Sequence, residues 1–257
     1  MIDRARYHFC LGILSVMLLS LASLARAEGI DAFFDDFTAT WVRGDPNLAT
    51  ASRYFSGVEQ QRLESQLTPE TRAYQLQRIQ LARQGLKELQ KFDTSKLNDT
   101  QRLSAALMQW LLNAVVNQEP YLAYYFPLNQ FGGANVRLVE TLTLRHPLAS
   151  QRDVENYLTR LALVPARMNE VVADATQLAT KKLIPPRFIL QATLDSMRAF
   201  CETAPERNPL VVVLEQKLAT LDSIAPAARS QSQQKAVTLV ATQVYPAWQR
   251  EIGRAHV

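Results

Sequence analysis

The sequence predicts an all-α fold, an array of packed helices. Apolar residues recur with a period close to that of the α-helix along almost the whole chain, which is the primary sequence signal for amphipathic helices. Glycine is scarce, at 8 of 257 residues, while 47% of the residues are hydrophobic. After removal of a predicted leader, roughly 230 residues remain, enough to bury a large core. A helical domain held together by packing is therefore expected.

The first 27 residues are predicted to be a secretory signal peptide. Arg4 and Arg6 precede an apolar run from Phe9 to Leu24, and Ala25-Arg26-Ala27 has the small-x-small pattern of a cleavage site. The run is shorter than the about 20 continuous apolar residues of a membrane anchor. We therefore expect cleavage after Ala27, export to a periplasm of the Gram-negative type, and no stable membrane anchor.

Charge and cysteine content exclude several classes of protein. The leader contains three arginines and one aspartate, so its removal lowers the formal charge from +4 to +2, and the remaining charges are mixed along the chain. A nucleic-acid partner is therefore not expected. Cys10 lies too far upstream of the cleavage site to be a lipoprotein cysteine, and it leaves with the leader. Cys201 then has no partner for a disulfide and is expected to be a small buried apolar side chain.

Two amphipathic helices with marked starts are predicted in the first half of the chain. Thr68 followed by Pro69 suggests an N-cap with proline at the first helical position, and Asn98 with Gln101 suggests a capping box. Their apolar stripes consist of Leu76, Ile79, Ala82, Leu86 and Leu89 in the first helix and of Leu103, Leu107, Trp110, Leu111 and Ala114 in the second.

One long helix and three shorter helices are predicted in the second half. The long apolar stripe starts after Ser150, a plausible N-cap, and continues to Leu178; Pro165 is expected to kink or divide this helix. Shorter helices are predicted over residues 186–201, 209–221 and 226–249. The run Val211-Val212-Val213 could alternatively form a short strand. Helix is favoured because the leucines that follow continue the helical spacing.

Residues 119–135 are predicted to be the longest irregular stretch of the domain, rich in aromatic, amide and glycine residues. A long loop inside a helical domain is either functional or tightly packed. Composition alone favours tight packing, and a ligand-facing role stays open.

The sequence contains no recognisable catalytic signature. His146 and His256 are the two histidines after the leader, and neither has a second ligand at helical i+4 spacing. His146 is predicted to lie in a surface loop, and Glu170 and Asp174 are predicted to form a solvated pair on one helix face. The serine-hydrolase elbow, the phosphate-binding glycine loop and the Cys-x-x-Cys motif are absent.

Three sequence blocks resemble the N-terminal half of the DUF885 family. They are Tyr-Tyr-Phe-Pro-Leu-Asn-Gln-Phe-Gly-Gly at 124–133, Tyr-Leu-x-Arg-Leu at 157–161 and Ile-Pro-Pro-Arg-Phe at 184–188. The resemblance implies that the protein is exported, helical and similar to zinc-dependent peptidases. This chain would then be a partial domain of a larger α-helical, metallopeptidase-like fold. In that family a His-Glu-x-x-x-Gly-His-type element in the C-terminal half would supply the zinc ligands and the base.

No residue of this sequence matches the zinc element, so the resemblance assigns no catalytic and no metal-binding residue here. Zinc is expected only in a C-terminal half that this sequence lacks, and peptides are the expected substrates of the longer protein. The resemblance further implies a substrate cleft lined by Tyr125, Asn129, Gln130, Gly132, Gly133 and Arg187.

The last residues, 251–257, are predicted to be a non-native tail. The sequence Glu-Ile-Gly-Arg-Ala-His-Val can be encoded by GAG ATC GGA AGA GCA CAC GTC, which resembles a common sequencing adapter. Residues 28–250 are then expected to be the N-terminal part of a longer domain, inactive alone, with apolar helix faces exposed where the rest would pack. The alternative is a stand-alone helical periplasmic protein that binds a ligand or partner.

Overall fold

The computed structural model describes residues 29–254, and over these residues it is all-helical, as predicted. Three short 3-10 helices (Thr94–Lys96, Glu119–Tyr124 and Pro205–Arg207) and two π-helical turns (Thr141–Arg145 and Val240–Val244) accompany the α-helices. The predicted signal peptide and the last three residues of the predicted tail lie outside the described residues. The α-helices are α1 (Ile30–Arg43), α2 (Pro46–Ser52), α3 (Gly57–Glu64), α4 (Arg72–Leu89), α5 (Asp99–Asn117), α6 (Ala134–Glu140), α7 (Gln151–Thr180), α8 (Arg187–Glu202), α9 (Pro209–Ala219), α10 (Pro226–Leu239) and α11 (Tyr245–Arg254).

One of the two predicted helix starts in the first half is confirmed and the other is wrong. Asn98 and Gln101 form both hydrogen bonds of a capping box at the start of α5. The cap of α4 is Thr71 rather than Thr68, because the Thr71 hydroxyl accepts the Tyr74 N–H. Thr68 instead donates its hydroxyl to the carboxylate of Asp45, the N-cap of α2. The hydroxyl is used in a tertiary contact that sequence spacing does not reveal.

Helix α7 is the long central element, and it is continuous. Ser150 caps its start, as predicted, and Pro165 lies inside the helix without dividing it. Buried apolar residues flank the proline on both sides, among them Leu161 and Met168. Packing on both sides offsets the hydrogen bond that proline cannot donate. The predicted division at Pro165 is therefore not observed.

The main core forms where the C-terminal helices pack against α7. Trp248 of α11 and Tyr157 of α7 are fully buried there, and the Tyr157 hydroxyl donates to the Leu210 carbonyl at 2.6 Å. The Val211-Val212-Val213 run lies in α9, so the helical interpretation is confirmed over the strand. Two helices of the predicted 226–249 segment are joined by a π-helical turn, Val240–Val244.

Helices α4 and α5 form an antiparallel hairpin beside α1, with a small core of their own around Ile30, Leu89 and Ala105. The outer face of α5 carries the predicted apolar stripe, but that face is open to solvent. Leu103 is 71% exposed and Trp110 is 67% exposed. Between Arg102 and Glu119 the sequence has no charged residue. None of the described helices combines the length and the apolar character that a bilayer span requires.

A polar network that contains His146 joins α2 and the residue after it, Arg53, to α7. The ring is 7% exposed, so the predicted surface position is wrong. Its Nδ1 accepts from the Arg160 guanidinium at 3.1 Å, its Nε2 lies 2.9 Å from the Asp153 carbonyl oxygen, and the ring packs edge-on against Tyr157. Arg53 pairs with the buried Asp153 carboxylate at 3.1 Å. The imidazole thus lies between the buried Arg160 guanidinium and the residue that forms the Arg53–Asp153 ion pair.

Protonation of His146 should destabilise the fold. Burial is the main cause that lowers the pKa of His146 from 6.5 to about 4. The positive charges of Arg160 and Arg53 lower this pKa further, whereas the hydrogen bond with the Asp153 carbonyl and the charge of Asp153 oppose the shift. The unfolded chain therefore binds more protons between these values. The stabilisation, up to about 3 kcal/mol, is complete above pH 6.5 and is lost as the pH falls towards 4.

Urea unfolding of the wild type and of His146→Gln at pH 7 and pH 4.5 measures this loss. The glutamine variant should lose less stability between the two pH values than the wild type, because its side chain does not titrate. Equal losses in both proteins would contradict the assignment.

Candidate functional site

The aromatic segment between α5 and α6 is the candidate functional site. Its first part, Glu119–Tyr124, is a 3-10 helix, and α6 begins at Ala134. The predicted irregular stretch is thus shorter than expected, covering residues 125–133. Glu119 pairs with Arg83 of α4, which fixes the segment to the hairpin. Four aromatic side chains of this segment are exposed: Tyr121, Tyr124, Tyr125 and Phe131.

Asn129 organises the turn at the end of this segment. Its side-chain oxygen accepts the Phe131 N–H at 3.0 Å and the Gly132 N–H at 2.8 Å, and its side-chain amide donates to the Phe126 carbonyl at 3.1 Å. An asparagine that satisfies three local backbone groups holds a turn in place of secondary structure. Asn129 therefore positions the loop, and its side chain is occupied in doing so.

The two adjacent glycines of the loop differ in their surroundings. A Cβ on Gly133 would lie 2.2 Å from the Asn129 nitrogen and 2.8 Å from the Asn129 carbonyl oxygen, closer than real Cβ atoms approach. A Cβ on Gly132 would meet no atom within 4 Å. The close approach of two backbone segments thus requires glycine at 133 alone.

Tyr125 is held by a charged network that the sequence did not indicate. Arg137 of α6 donates to the Tyr125 hydroxyl and to the Gly132 carbonyl, and it pairs with Glu70 at 2.6 Å. Burial raises the pKa of Glu70, and Arg137 opposes that rise. The Glu70 N–H in turn donates to Glu170 of α7 at 2.8 Å. The loop is therefore anchored through α6 to the central helix, and Glu170 is not the solvated residue that was predicted.

Gln130 and Arg187 complete the set of residues that the resemblance implies. Gln130 is partly buried, and its side-chain oxygen has no hydrogen-bond partner among the described residues. Arg187 is the first residue of α8 and is exposed. The structure thus brings together Tyr125, Asn129, Gly132 and Gly133, while no described contact joins Arg187 to them.

An open cavity lies between the aromatic segment and α4. Its volume is about 620 Å³, and it is lined by Tyr74, Arg78, Val115, Tyr121, Tyr124 and Tyr125. A second cavity of about 450 Å³ adjoins it between α1 and α5, and its wall is apolar, with Phe34, Phe37, Trp41, Leu107, Leu111 and Val115. Val115 lines both cavities. Sequence reasoning missed Tyr74 and Arg78, because they face this space only once the hairpin is folded.

The described residues contain no cluster of the usual metal ligands. No group of three or more histidine, cysteine, aspartate or glutamate side chains has a metal-binding arrangement in residues 29–254. Both nitrogens of His146 are engaged by Arg160 and the Asp153 carbonyl. Cys201 packs half-buried against the main core, and burial, with a smaller contribution from Glu202, raises its pKa to about 11. The predicted buried position is thus found only in part, and a thiol with a raised pKa is a poor zinc ligand.

These features define an all-helical protein with an open, tyrosine-lined cleft at a rigidly held loop. A protein-family model, DUF885, described as bacterial protein of unknown function, matches residues 46–253. The chain belongs to this family. No curated protein matches the sequence.

A solved structure shares the fold. It is the crystal structure of the "putative lipoprotein" from Colwellia psychrerythraea, which superposes with a TM-score of 0.73 at 16% identity. The similarity covers 86% of this chain and 40% of that chain. This chain therefore spans less than half the length of the structure that it resembles.

Proposed function

We propose that this chain forms one wall of the substrate cleft in a longer, exported DUF885 protein that hydrolyses peptides. The observation that carries the proposal is that the segment 119–133 keeps Tyr121, Tyr124 and Tyr125 exposed at the mouth of a cavity of about 620 Å³. Hydrogen bonds of Asn129 and Arg137 hold the loop in a conformation that leaves its aromatic rings exposed to solvent. Clefts with apolar walls and a few fixed polar groups are typical of ligand sites.

The part of the reaction that needs a metal is assigned to a segment outside this sequence. The described residues do not fit zinc, so we derive no step through it. This chain would instead bind and orient the peptide, with the aromatic rings against its side chains. The 40% coverage of the similar structure leaves room for a second, catalytic part.

Export to the periplasm and signal cleavage after Ala27 belong to the same proposal. The motif of residues 1–27 supports them.

A stand-alone binding protein is the second candidate function. The observation that favours it is that the described residues already form two cavities, of about 620 and 450 Å³. A binding protein needs a formed pocket and no catalytic group.

The isolated chain is expected to bind no zinc and to hydrolyse no peptide. Elemental analysis after purification with added zinc should give well below one equivalent, and a fluorogenic peptide library should show no turnover. Stoichiometric zinc, or hydrolysis abolished by a chelator, would show that the chemistry lies within this chain.

A long-read sequence through the codons for residues 248–257 and about a kilobase beyond separates the two functions. An open frame that encodes a His-Glu-x-x-x-Gly-His-type element supports the peptidase. A stop codon directly after Val257 in genomic DNA contradicts it, and it also contradicts the adapter origin of residues 251–257.

A further inference from the structure

We infer that Arg78 binds the free carboxylate at the C-terminus of a peptide whose last side chain is apolar. The inference rests on the proposed cleft and names the end of the substrate that this wall receives. It follows from the surroundings of one guanidinium group and from the two cavities that meet beside it.

The Arg78 guanidinium is held in one place by α1. It lies 3.5 Å above the centre of the Trp41 ring, and its Nη1 donates to the Trp41 carbonyl at 2.7 Å. A Cβ on Gly44 would lie 2.7 Å from the same nitrogen, so this glycine makes the position available. A guanidinium stacked on an aromatic ring is pre-organised to bind a planar anion.

Among the described residues, the hydrogen bond of the Arg78 side chain is that from Nη1 to the Trp41 carbonyl, and neither Nε nor Nη2 is paired with a carboxylate there. Burial lowers the pKa of Arg78, with Tyr74 and Asp45 opposing that change. Asp45 itself accepts from Thr68 and from the Leu48 N–H. A partly desolvated cation with two free donors favours an external anion, because charge-assisted bidentate pairs are the strongest hydrogen bonds available to it.

The two cavities specify what is attached to that anion. Arg78 faces the tyrosine cavity, whereas Trp41, on which it stacks, lines the apolar cavity. A carboxylate on Arg78 would thus place an attached apolar side chain against Phe37, Trp41 and Leu111. The main chain would continue past Tyr121 and Tyr124 towards the loop. A peptide carboxyl terminus with an apolar last residue has this chemistry.

Fluorescence anisotropy with the purified chain tests the inference. The probe is Ala-Ala-Phe with a fluorescent label on its amino end, compared with the same probe as a C-terminal amide. The amide should bind at least about tenfold more weakly, the difference expected for a lost charge-assisted contact. Arg78→Gln should weaken the acid probe by a similar factor and leave the amide unchanged, and Arg78→Lys should fall between.

Arg152→Gln, which removes an exposed arginine of α7, is the matched control and should bind like the wild type. Equal affinity for acid and amide would overturn the inference, even if Arg78→Gln failed to fold. Dodecanoate that binds the cavities when neither peptide does would overturn it too, in favour of a lipid ligand. The inference and the proposed function can fail separately. Acid-selective binding without a downstream zinc element would support the stand-alone binding protein. A zinc element without acid-selective binding would remove only the role of Arg78.

Discussion

Arg160→Met is expected to lower the free energy of unfolding by about 3–5 kcal/mol, because it removes the donor from two buried hydrogen bonds, at about 1–3 kcal/mol each, and the positive charge near Glu64. Arg160 lies on α7, is 1% exposed, and donates to His146 and to Asn47 of α2. Burial lowers the pKa of Arg160 to about 10, and the charges of Asp45 and Glu64 oppose that change. Methionine matches its bulk but leaves these groups without the cation.

Urea unfolding at pH 7 measures the loss, with Arg152→Met as the control on the exposed side of the same helix. The control should stay within about 0.5 kcal/mol of the wild type. A similarly small change for Arg160→Met would mean that the network contributes little to stability.

Gly133→Ala is expected to cost about 2–3 kcal/mol, in the upper range for overpacking a well-packed site. The added methyl group would meet the backbone of Asn129, which is itself held by three hydrogen bonds and cannot move aside without breaking them. The strain should displace the exposed tyrosines as well.

Gly132→Ala is the matched control, since its methyl group meets open space. Thermal unfolding of both variants, together with binding of the Ala-Ala-Phe probe, separates the effects. Gly133→Ala should lose stability and affinity, and Gly132→Ala should lose neither. If both variants behaved alike, the close approach at Gly133 would be without consequence.

The sequence predicted what depends on neighbours within a few residues. The capping box of Asn98 and Gln101 was correct because both of its bonds lie within one helical turn. The start of α7 at Ser150 was found for the same reason. Helical spacing likewise assigned Val211 to a helix. All-helical architecture and family membership follow from such local patterns.

Features that depend on distant partners were not predictable. Thr68 has the sequence context of a helix cap, but its hydroxyl bonds to the distant Asp45. His146 precedes a proline, as in an exposed loop, but the folded chain buries it against Arg160. The apolar stripe of α5 was recognised, but spacing cannot say what covers it. Within the candidate site, the glycine-rich turn was visible in the sequence, whereas the position of Arg78 over Trp41 requires the folded hairpin.

The contacts that attach the N-terminal helices to α7 connect residues far apart in the chain. Arg53 and Asp153 are 100 residues apart, as are Glu70 and Glu170, and Asn47 and Arg160 are 113 apart. At synthesis rates of about 5–20 residues per second, the second residue of each pair is made roughly 5–20 s after the first. During that interval α4 and α5 can form their hairpin, but α1 to α5 cannot dock on α7. The N-terminal helices therefore dock only after α7 has been synthesised.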